Sequence, residues 1–444
     1  MRVAILGFSD LAQSEGLATY RYFKQKGADI TVYYWGEPEL PGDVKKVKIE
    51  VGQDIADLAD FDLIVHSPAV HPRQIKTRQP VTTLTNIFFE ECPTKNTIGV
   101  TGTKGKGTTS TLIAKLLEAA GHKAFLGGNI GKPLLDDLPN IKPTDWVVLE
   151  MSAGQLIDFK YAPHIGVCVM VVPDHLDWHT DLDEYTMSKQ NLFSHQKSTD
   201  LAVFNAGDQG SHDVVSVSVA KKRGYEVPPP GKKPTPKEAA YVEGDNIYFA
   251  GQLICPVRDV ALLGRHNLEN VCAAISAVWE IVGKDPEVVK KVVKEFKGLE
   301  HRLEFVREVN GVKYYNDSFA ATPDAAIAAT EAIPGRKVLI VGGFDRNLPL
   351  EHLAQTFKDH EKNLARVILI GASRERLAKE LEDIAFHNFE LADTKSMTEI
   401  VAAAKKAATA GDSVVLSPGF ASFDMFKNFA ERGAKFKAAI MELA

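Results

Sequence analysis

Residues 98–109 read Ile-Gly-Val-Thr-Gly-Thr-Lys-Gly-Lys-Gly-Thr-Thr, an apolar stretch that runs into a glycine-rich turn carrying Lys106. Ile98 and Val100 predict a buried strand, and the apolar residues of 112–117 recur at helical spacing. A turn that joins a strand to a helix directs backbone N–H groups and the positive helix end at one point, which suits a phosphate group. The stretch therefore predicts a nucleotide-binding loop in which Lys106 adds a cation for the β- and γ-phosphates. An ordinary glycine-rich turn is the alternative.

The loop differs in two places from the usual Walker A pattern. Val100 stands where that pattern has its first glycine, and Gly107 follows the lysine where a hydroxyl side chain is usual. The nearest hydroxyl is therefore that of Thr108. The segment is a variant of the phosphate-binding loop.

The composition bounds the class of protein. A chain of 444 residues is too long for one core, and its 45% hydrophobic and 25% charged residues are ordinary for a soluble protein. A net charge of -6 argues against nucleic acid as a partner. The four cysteines have no metal-ligand or redox spacing, and we find neither a signal peptide nor an apolar run that could span a bilayer. We expect a cytoplasmic protein without membrane insertion.

Strand-like and helical stretches alternate along the whole chain, which is typical of α/β proteins with mostly parallel sheets. We predict three domains: a Rossmann-like domain at 1–92, a P-loop ATPase-like domain with a mostly parallel sheet at 93–297, and a Rossmann-like domain at 298–444. The first lacks the full dinucleotide fingerprint, so a nicotinamide cofactor is not supported. The predicted strands are Val3–Leu6, Ile30–Tyr34, Leu63–Val65, Trp146–Leu149, Ile165–Val172, Val312–Tyr315, Lys337–Val341, Arg366–Ile370 and Ser413–Leu416.

Polar side chains follow two predicted strands of the central domain. Glu150 comes directly after Trp146–Leu149, and the segment Asp174-His175-Leu176-Asp177 follows the next strand. Ligands collect at the carboxyl ends of parallel strands, so these groups are placed to hold Mg²⁺ or phosphate. A helix-entry glutamate and a polar loop with capping aspartates are the alternatives, and convergence on one sheet edge favours the metal role.

Other polar residues have weaker local signals. Lys189 has the local pattern of a solvated helix lysine. Arg302 suits a phosphoryl group because its planar fork makes bidentate contacts. Asp317 has the chemistry to accept hydrogen bonds from ribose hydroxyls, but the local sequence favours a helix N-cap at Asn316 or Asp317.

Together these motifs resemble the Mur ligase family of ATP-dependent amide-forming enzymes, over essentially the whole chain and in the family's order. Thr101–Thr108 is similar to the family's phosphate loop, and Gly127–Gly131 to the segment that contacts the muramoyl substrate. Gly264–Asn270 resembles the adenine-side motif. The remaining matches are Glu150, Ser152 and Gln155, His175, His301-Arg302, Asn316-Asp317-Ser318, Gly342–Arg346 and Ser417–Ser422.

The resemblance implies a reaction and its cofactors. The motif spacing indicates the branch that joins D-glutamate to UDP-N-acetylmuramoyl-L-alanine, through an acyl phosphate, in peptidoglycan precursor synthesis. The first domain is then expected to bind the UDP moiety, the second ATP with two Mg²⁺ ions, and the third the amino acid. Lys189 aligns with the lysine that the family carbamylates with CO₂. The expected assembly is a monomer.

The resemblance also assigns roles to residues. Lys106, Glu150, His175 and Lys189 are expected to be catalytic, and the expected metal ligands are Thr108, Glu150, His175 and carbamylated Lys189. The expected ATP contacts are Gly102, Thr103, Lys104, Gly105, Lys106, Gly107, Thr108, Asn267, Asn270, Arg302 and Asp317. The expected UDP-sugar contacts are Asn129, Ser152, Gln155 and His175, and the expected amino-acid contacts are Thr322, Arg346, Ser422 and Phe429.

The sequence departs from the family pattern at several of its motifs. Gly107 replaces a serine and Lys104 an asparagine, while Phe319 replaces a lysine and Ala321 the threonine that contacts glutamate. Three alternatives therefore stay open: a related ligase for L-glutamate or another amino acid, a folylpolyglutamate synthetase, and a nucleotide-binding protein without ligase activity. The N-terminal domain and the substrate-side motifs disfavour the second alternative.

Overall fold

The computed structural model describes residues 1–9, 14–36, 38–174, 178–229, 231–235 and 238–443. The chain divides into two compact units, Met1–Val260 with His266–Lys294, and Ala261–Arg265 with Glu295–Ala444. Strands and helices alternate in both units, which confirms the predicted α/β class. The domain boundaries at 92/93 and 297/298 stay a prediction. In the described part of the chain, no helix is long and apolar enough to cross a membrane.

The N-terminal part of the first unit contains a parallel sheet. Its elements are β1 (Arg2–Phe8), α1 (Glu15–Gln25), β2 (Asp29–Tyr34), β3 (Lys45–Lys48), β4 (Leu63–His66), β5 (Val81–Thr83) and α2 (Leu84–Glu91). The strand order β3-β2-β1-β4-β5 places β1 at the centre, and Val3–Phe8 are buried accordingly. Helix α1 begins where the Ser14 side chain accepts a hydrogen bond from the Leu17 N–H. The order and the parallel pairing agree with the Rossmann-like prediction.

The central sheet carries the phosphate-binding segment. Its elements are β6 (Thr97–Thr101), α3 (Lys106–Ala119), β7 (Ala124–Gly128), β8 (Trp146–Glu150), α4 (Ala153–Leu156), β9 (Ile165–Cys168), α5 (Leu182–Ser194), β10 (Leu201–Asn205), α6 (Gln209–Val215) and β11 (Lys221–Tyr225). The strands are parallel in the order β11-β10-β9-β6-β8-β7. The carboxyl ends of β6, β8 and β9 therefore lie at one edge, as predicted. Strand β9 ends at Cys168, four residues earlier than predicted.

The first unit also contains an antiparallel sheet that the sequence analysis did not predict. It consists of β12 (Ala240–Glu243), β13 (Asn246–Phe249) and β14 (Gln252–Pro256). A proline-rich stretch precedes this sheet, and its described residues, 227–229 and 231–235, contain no helix or strand. Helices α7 (Arg265–Val278) and α8 (Pro286–Glu295) follow, and 3₁₀ turns lie at Pro72–Gln74, Leu134–Asn140, Val257–Asp259 and Glu361–Asn363.

The second unit is built on a mixed sheet with helices on both faces. Its elements are β15 (Glu304–Val309), β16 (Val312–Asn316), α9 (Pro323–Ala332), β17 (Lys337–Gly342), α10 (Glu351–Asp359), β18 (Leu364–Ile370), α11 (Arg374–Asp383), β19 (Phe389–Leu391), α12 (Met397–Ala407), β20 (Ser413–Leu416) and α13 (Phe429–Met441). The order is β15-β16-β20-β17-β18-β19, with β15 antiparallel to β16. Ile340 packs with the α12 and α13 side of the core, and Val341 with the α10 and α11 side. This alternation along β17 shows that helices cover both faces of the sheet, in agreement with the predicted Rossmann-like fold.

Candidate active site

The phosphate-binding segment adopts the predicted strand–loop–helix conformation. Strand β6 ends at Thr101, and α3 begins at Lys106. Gly102 and Gly105 have φ angles of 136° and 94°, which L side chains rarely adopt. A Cβ atom at Gly105 would overlap the side-chain oxygen of Asn270. The glycines are therefore required by both the backbone and the packing of the loop.

The hydroxyl groups at the start of α3 differ in their contacts. The Ser110 and Thr111 hydroxyls donate to carbonyl oxygens one turn earlier, at 2.9 and 2.8 Å. Thr108 is buried but makes no such bond to the part of the chain that the structure describes. The Lys106 Nζ donates to the Thr103 carbonyl at 3.0 Å. Within the described residues, the Thr108 hydroxyl is therefore not engaged as those of Ser110 and Thr111 are. It is the hydroxyl that was expected to replace the missing serine.

Two asparagines of α7 lie beside this loop. The Asn270 Oδ1 accepts a hydrogen bond from the Thr109 hydroxyl at 3.3 Å, and its Nδ2 donates to the Asn267 Oδ1 at 3.0 Å. Asn270 is buried. The structure therefore brings the expected adenine-side pair to the expected phosphate loop, although they are separated by more than 150 residues in sequence.

Glu150 is the last residue of β8, and its carboxylate lies in the first unit beside Asn129. The Asn129 Nδ2 donates to Glu150 Oε1 at 2.9 Å, and the Asn129 N–H donates to the Glu150 carbonyl at 2.9 Å. The helix-entry interpretation of Glu150 is wrong, because Ser152 caps α4 by accepting from the Gln155 N–H. Glu150 is still part of the strand at that point, and its carboxylate remains available for another role.

Gln155 connects this sheet edge to the N-terminal part of the unit. Its Oε1 accepts from the Ser152 N–H at 2.9 Å, and its Nε2 donates to Glu15 Oε1 at 2.5 Å. A cleft of about 550 Å³ is lined here by residues 7–9 and 14–16, by Trp35, and by Asn129 and Gln155. Burial raises the pKa of Glu15 to about 7, and the hydrogen bond from Gln155 opposes that rise.

Glu15, which also lines this cleft, was not among the predicted site residues. Its local signal is that of an ordinary acidic residue in the first turn of a helix. Its hydrogen-bond donor, Gln155, lies 140 positions away in the sequence, so no local pattern indicates that contact.

Lys189 is buried, which contradicts the local interpretation as a solvated helix lysine. Its side chain is 1% exposed, its Nζ donates to the Gly102 carbonyl at 3.0 Å, and it lies 4.3 Å from the Tyr185 ring centroid. Burial, and then the charge of Lys106, lower the pKa of Lys189 to about 7. The physical reason is helical spacing, because Lys189 shares the buried face of α5 with Tyr185 and Phe193. That spacing was visible in the sequence.

Tyr185 ties the phosphate loop to α5. The Tyr185 hydroxyl is 2.7 Å from the Thr103 hydroxyl. The Thr103 hydroxyl in turn donates to the Val172 carbonyl at 2.8 Å. Burial raises the pKa of Tyr185 to about 12, so the phenol stays protonated at neutral pH. His175, expected as a metal ligand and a substrate contact, lies outside the described residues, as does Asp177.

In the second unit, Asp317 is buried in a hydrogen-bonded site rather than at a helix start. Its two oxygens accept from the Leu303 N–H at 3.1 Å and from the Ser417 hydroxyl at 2.7 Å. Burial raises the pKa of Asp317 to about 7, which these hydrogen bonds oppose. The N-cap interpretation of 316–317 is wrong, because Thr322 occupies the N-cap position of the next helix, α9.

Three of the expected amino-acid contacts, Thr322, Arg346 and Ser422, follow strands of this sheet, and the fourth, Phe429, is the first residue of α13. The Phe344 N–H donates to the Ala421 carbonyl at 2.9 Å, which joins the loop of Arg346 to the loop of Ser422. The Ser318 hydroxyl donates to the Phe429 carbonyl at 2.8 Å.

Arg432, a fully buried residue that sequence analysis missed, links the same segments. It donates to the Ser318 carbonyl at 2.8 Å and to the carbonyls of Phe420 and Ala421 at 3.1 and 3.2 Å. The backbone carbonyls of these three loop residues therefore compensate the buried charge of Arg432. The helical position of Arg432 beside Gly433 gave no local sign of this role.

Comparison with known proteins agrees with this architecture. Family models for the "Mur ligase middle domain" and the "Mur ligase, glutamate ligase domain" match residues 100–278 and 301–420. Proteins named UDP-N-acetylmuramoylalanine–D-glutamate ligase are 37% identical in Clostridium botulinum, over 94% of this chain and 92% of that protein, and 36% identical in Acetivibrio thermocellus, over 99% and 96%. The crystal structure of the UDP-N-acetylmuramate-alanine ligase of Thermotoga maritima shares the fold, with a TM-score of 0.61, 17% identity and 99% of each chain covered. The chain therefore belongs to the Mur ligase family.

Proposed function

We propose that this chain is an ATP-dependent ligase that joins D-glutamate to UDP-N-acetylmuramoyl-L-alanine. The proposal is supported by relatives with that activity in their name, which match nearly the whole chain. The structural observation that carries the proposal is made at the edge of the central sheet. The Lys106 loop follows β6, Glu150 ends β8, and the buried Lys189 of α5 donates to the loop. A cation, a carboxylate and a buried amine beside a phosphate loop suit phosphoryl transfer.

The reaction has two group-transfer steps, and neither changes an oxidation state. The alanyl carboxylate attacks the γ-phosphorus of ATP, which forms an acyl phosphate and releases ADP. The amine of glutamate then attacks the acyl carbon, and phosphate and a proton leave as the amide forms. Lys106 and the backbone N–H groups of the loop hold the phosphates and offset their negative charge.

We propose that Thr108, Glu150, His175 and carbamylated Lys189 hold two Mg²⁺ ions. The described donors fit, because the Glu150 carboxylate and the Thr108 hydroxyl offer oxygen ligands, which Mg²⁺ prefers. When bound, Mg²⁺ supplies positive charge to the phosphate oxygens. Asn129 orients Glu150 through its hydrogen bond to Oε1.

The proposed carbamate on Lys189 is supported by the environment of its amine. A neutral amine is the form that attacks CO₂, and it loses a proton as the anionic carbamate forms. A pKa lowered to about 7 leaves much of the Lys189 amine neutral at physiological pH. Within the described residues, no carboxylate forms an ion pair with this lysine.

We propose that the cleft beside Gln155 and Asn129 binds the UDP-sugar. Asn267 and Asn270 are the proposed contacts on the adenine side of ATP. Ser152 orients Gln155 by hydrogen bonding. In the second unit, the proposed amino-acid contacts are Thr322, Arg346, Ser422 and Phe429, and the proposed nucleotide contacts are Arg302 and Asp317. A cytoplasmic, monomeric enzyme is part of the same proposal.

The decisive experiment offers the purified protein UDP-N-acetylmuramoyl-L-alanine and ATP with either D- or L-glutamate. We expect phosphate release and a dipeptidyl product with D-glutamate. Activity only with L-glutamate would overturn the stereochemical assignment, and no product with either would favour a nucleotide-binding protein without ligase activity. This comparison matters because Phe319 and Ala321 depart from the family's pattern on the amino-acid side.

A second experiment tests Lys189. We expect Lys189→Ala to lose most activity and short carboxylic acids to restore part of it, because they can occupy the place of the carbamate. Lys197→Ala is the matched control, since that side chain is exposed just beyond the same helix. Unchanged turnover in Lys189→Ala would remove the carbamate from the mechanism.

A further inference from the structure

Arg302 lies at the centre of a strained turn in the second unit. His301 and Leu303, the residues on either side of it, have φ angles of 64° and 43°. Left-handed backbone is costly for residues other than glycine, and it persists only where surrounding contacts impose it. Two such residues flanking one arginine indicate that the backbone at Arg302 is held in place by the fold.

Hydrogen bonds impose this conformation. The Leu303 N–H donates to Asp317 at 3.1 Å, and the His301 N–H donates to Glu304 at 3.0 Å. The His301 carbonyl accepts from the Phe319 N–H at 3.0 Å. The turn is therefore anchored to the segment that follows β16.

An aromatic side chain then contacts the arginine itself. The Arg302 guanidinium lies 4.1 Å from the centroid of the Phe319 ring. Phe319 in turn meets Phe429 edge to face at 4.9 Å, and Phe429 lies 6.0 Å from the His301 ring. The contacts form a closed circuit from the strained turn through two phenylalanines and back to the turn.

We propose that Phe319 is a positioning residue that holds the guanidinium of Arg302 for an anionic phosphoryl group. The inference rests on the proposed function, in which Arg302 contacts the nucleotide. Stacking uses the flat face of the guanidinium, while its N–H donors point outward in its plane, so stacking and bidentate binding of a phosphoryl group are compatible. A lysine at position 319 would place a second cation against Arg302, whereas a phenylalanine attracts it.

The test compares Phe319→Leu with Phe319→Tyr, which keeps the aromatic face. Phe305→Leu is the matched control, because Phe305 is similarly exposed in the same unit and packs edge to face on Tyr315. We expect Phe319→Leu to lower kcat/KM for ATP at least fivefold and to leave KM for the UDP-sugar within twofold. Phe319→Tyr and Phe305→Leu are expected to stay within twofold of the parent enzyme.

The Arg302→Ala background shows whether Phe319 acts through the arginine. If it does, Phe319→Leu adds less than a twofold loss to Arg302→Ala. A full loss in both backgrounds, or none in the parent, would overturn the inference. Absence of ligase activity in the unmutated chain would instead refute the proposed function. Urea unfolding of the parent, Phe319→Leu, Arg302→Ala and the double variant then tests the contact itself. Additive shifts of the unfolding midpoint would exclude coupling between the two side chains.

Discussion

Gly105→Ala is expected to weaken ATP binding about thirtyfold, because the added methyl group would displace Asn270. Gly105 is the N-cap residue of α3, with a φ angle of 94°. The position of its Cβ overlaps the Asn270 side-chain oxygen, which also accepts the hydrogen bond from Thr109. The substitution therefore strains both the backbone of the phosphate loop and the contact that holds Asn270 against it.

Gly121 allows the two effects to be separated. It lies just beyond the other end of α3, with a φ angle of 88° and no heavy atom within 4 Å of its Cβ position. Alanine at either glycine costs about 1–2 kcal/mol of backbone strain. At Gly105, displacement of Asn270 also removes its two hydrogen bonds, to Thr109 and Asn267, at about 1 kcal/mol each. If the ligand-free loop relaxes and ATP must restore it, that additional 2 kcal/mol or so corresponds to about thirtyfold in Kd.

The assay is calorimetric titration of both variants with a non-hydrolysable ATP analogue, together with urea unfolding. We expect Gly121→Ala to lose stability but to bind the analogue as the parent does. If Gly105→Ala binds within twofold of Gly121→Ala and unfolds at the same urea concentration, Asn270 does not restrict the loop, and the reasoning is wrong.

Three further predictions concern charge and metal binding in the first unit. Lys189→Met is expected to raise the free energy of unfolding more at pH 6 than at pH 10. A lysine pKa lowered to about 7 means that the buried ammonium costs folding stability, and this cost fades as the pH rises toward 10.5. Equal gains in urea unfolding at both pH values would contradict this. Glu15→Gln is expected to stabilise the chain more at pH 8 than at pH 5, because a carboxyl pKa raised to about 7 costs stability as the pH rises from 4.5 to 7; thermal unfolding measures the difference. Thr108→Ala is expected to raise the Mg²⁺ concentration for half-maximal ligase rate about fivefold, as loss of one ligand worth about 1 kcal/mol implies. Gly107→Ser should reverse that change, and an unaltered Mg²⁺ titration would exclude Thr108 as a ligand.

The parts of the site that sequence analysis predicted well have local causes. The turn at 102–107 is dictated by glycines within the turn itself, and the position of Glu150 follows from the apolar strand before it. Most strands that lie inside the parallel sheets were found because burial on both faces makes them continuously apolar, although the interior strand β10 was missed. Strands β15 and β19 were missed because they lie at the edges of their sheet and are partly exposed, which leaves a mixed pattern.

The failures concern residues whose environment comes from distant parts of the chain. Asp317 looked like a helix cap because acidic residues commonly occupy that position, but Leu303 and Ser417 supply its partners. Glu15 was not predicted as a site residue, because its hydrogen-bond donor, Gln155, lies 140 positions away in the sequence. In both cases the residue type was informative, while the burial that shifts its pKa was set by another segment.

Lys189 shows how the proposed chemistry could resolve an unfavourable arrangement. As an ammonium ion it is buried next to a phosphate loop that already carries Lys106, and that like charge helps to lower its pKa. As the proposed carbamate it would carry the opposite charge in the same place, so the repulsion from Lys106 would become attraction. Burial disfavours both charged forms and favours the neutral amine that reacts with CO₂, while the charge of Lys106 disfavours the cation and favours the anion that the reaction forms. A methionine has a similar unbranched shape but no amine and could make neither change, which is why we expect a more stable and inactive protein from that substitution.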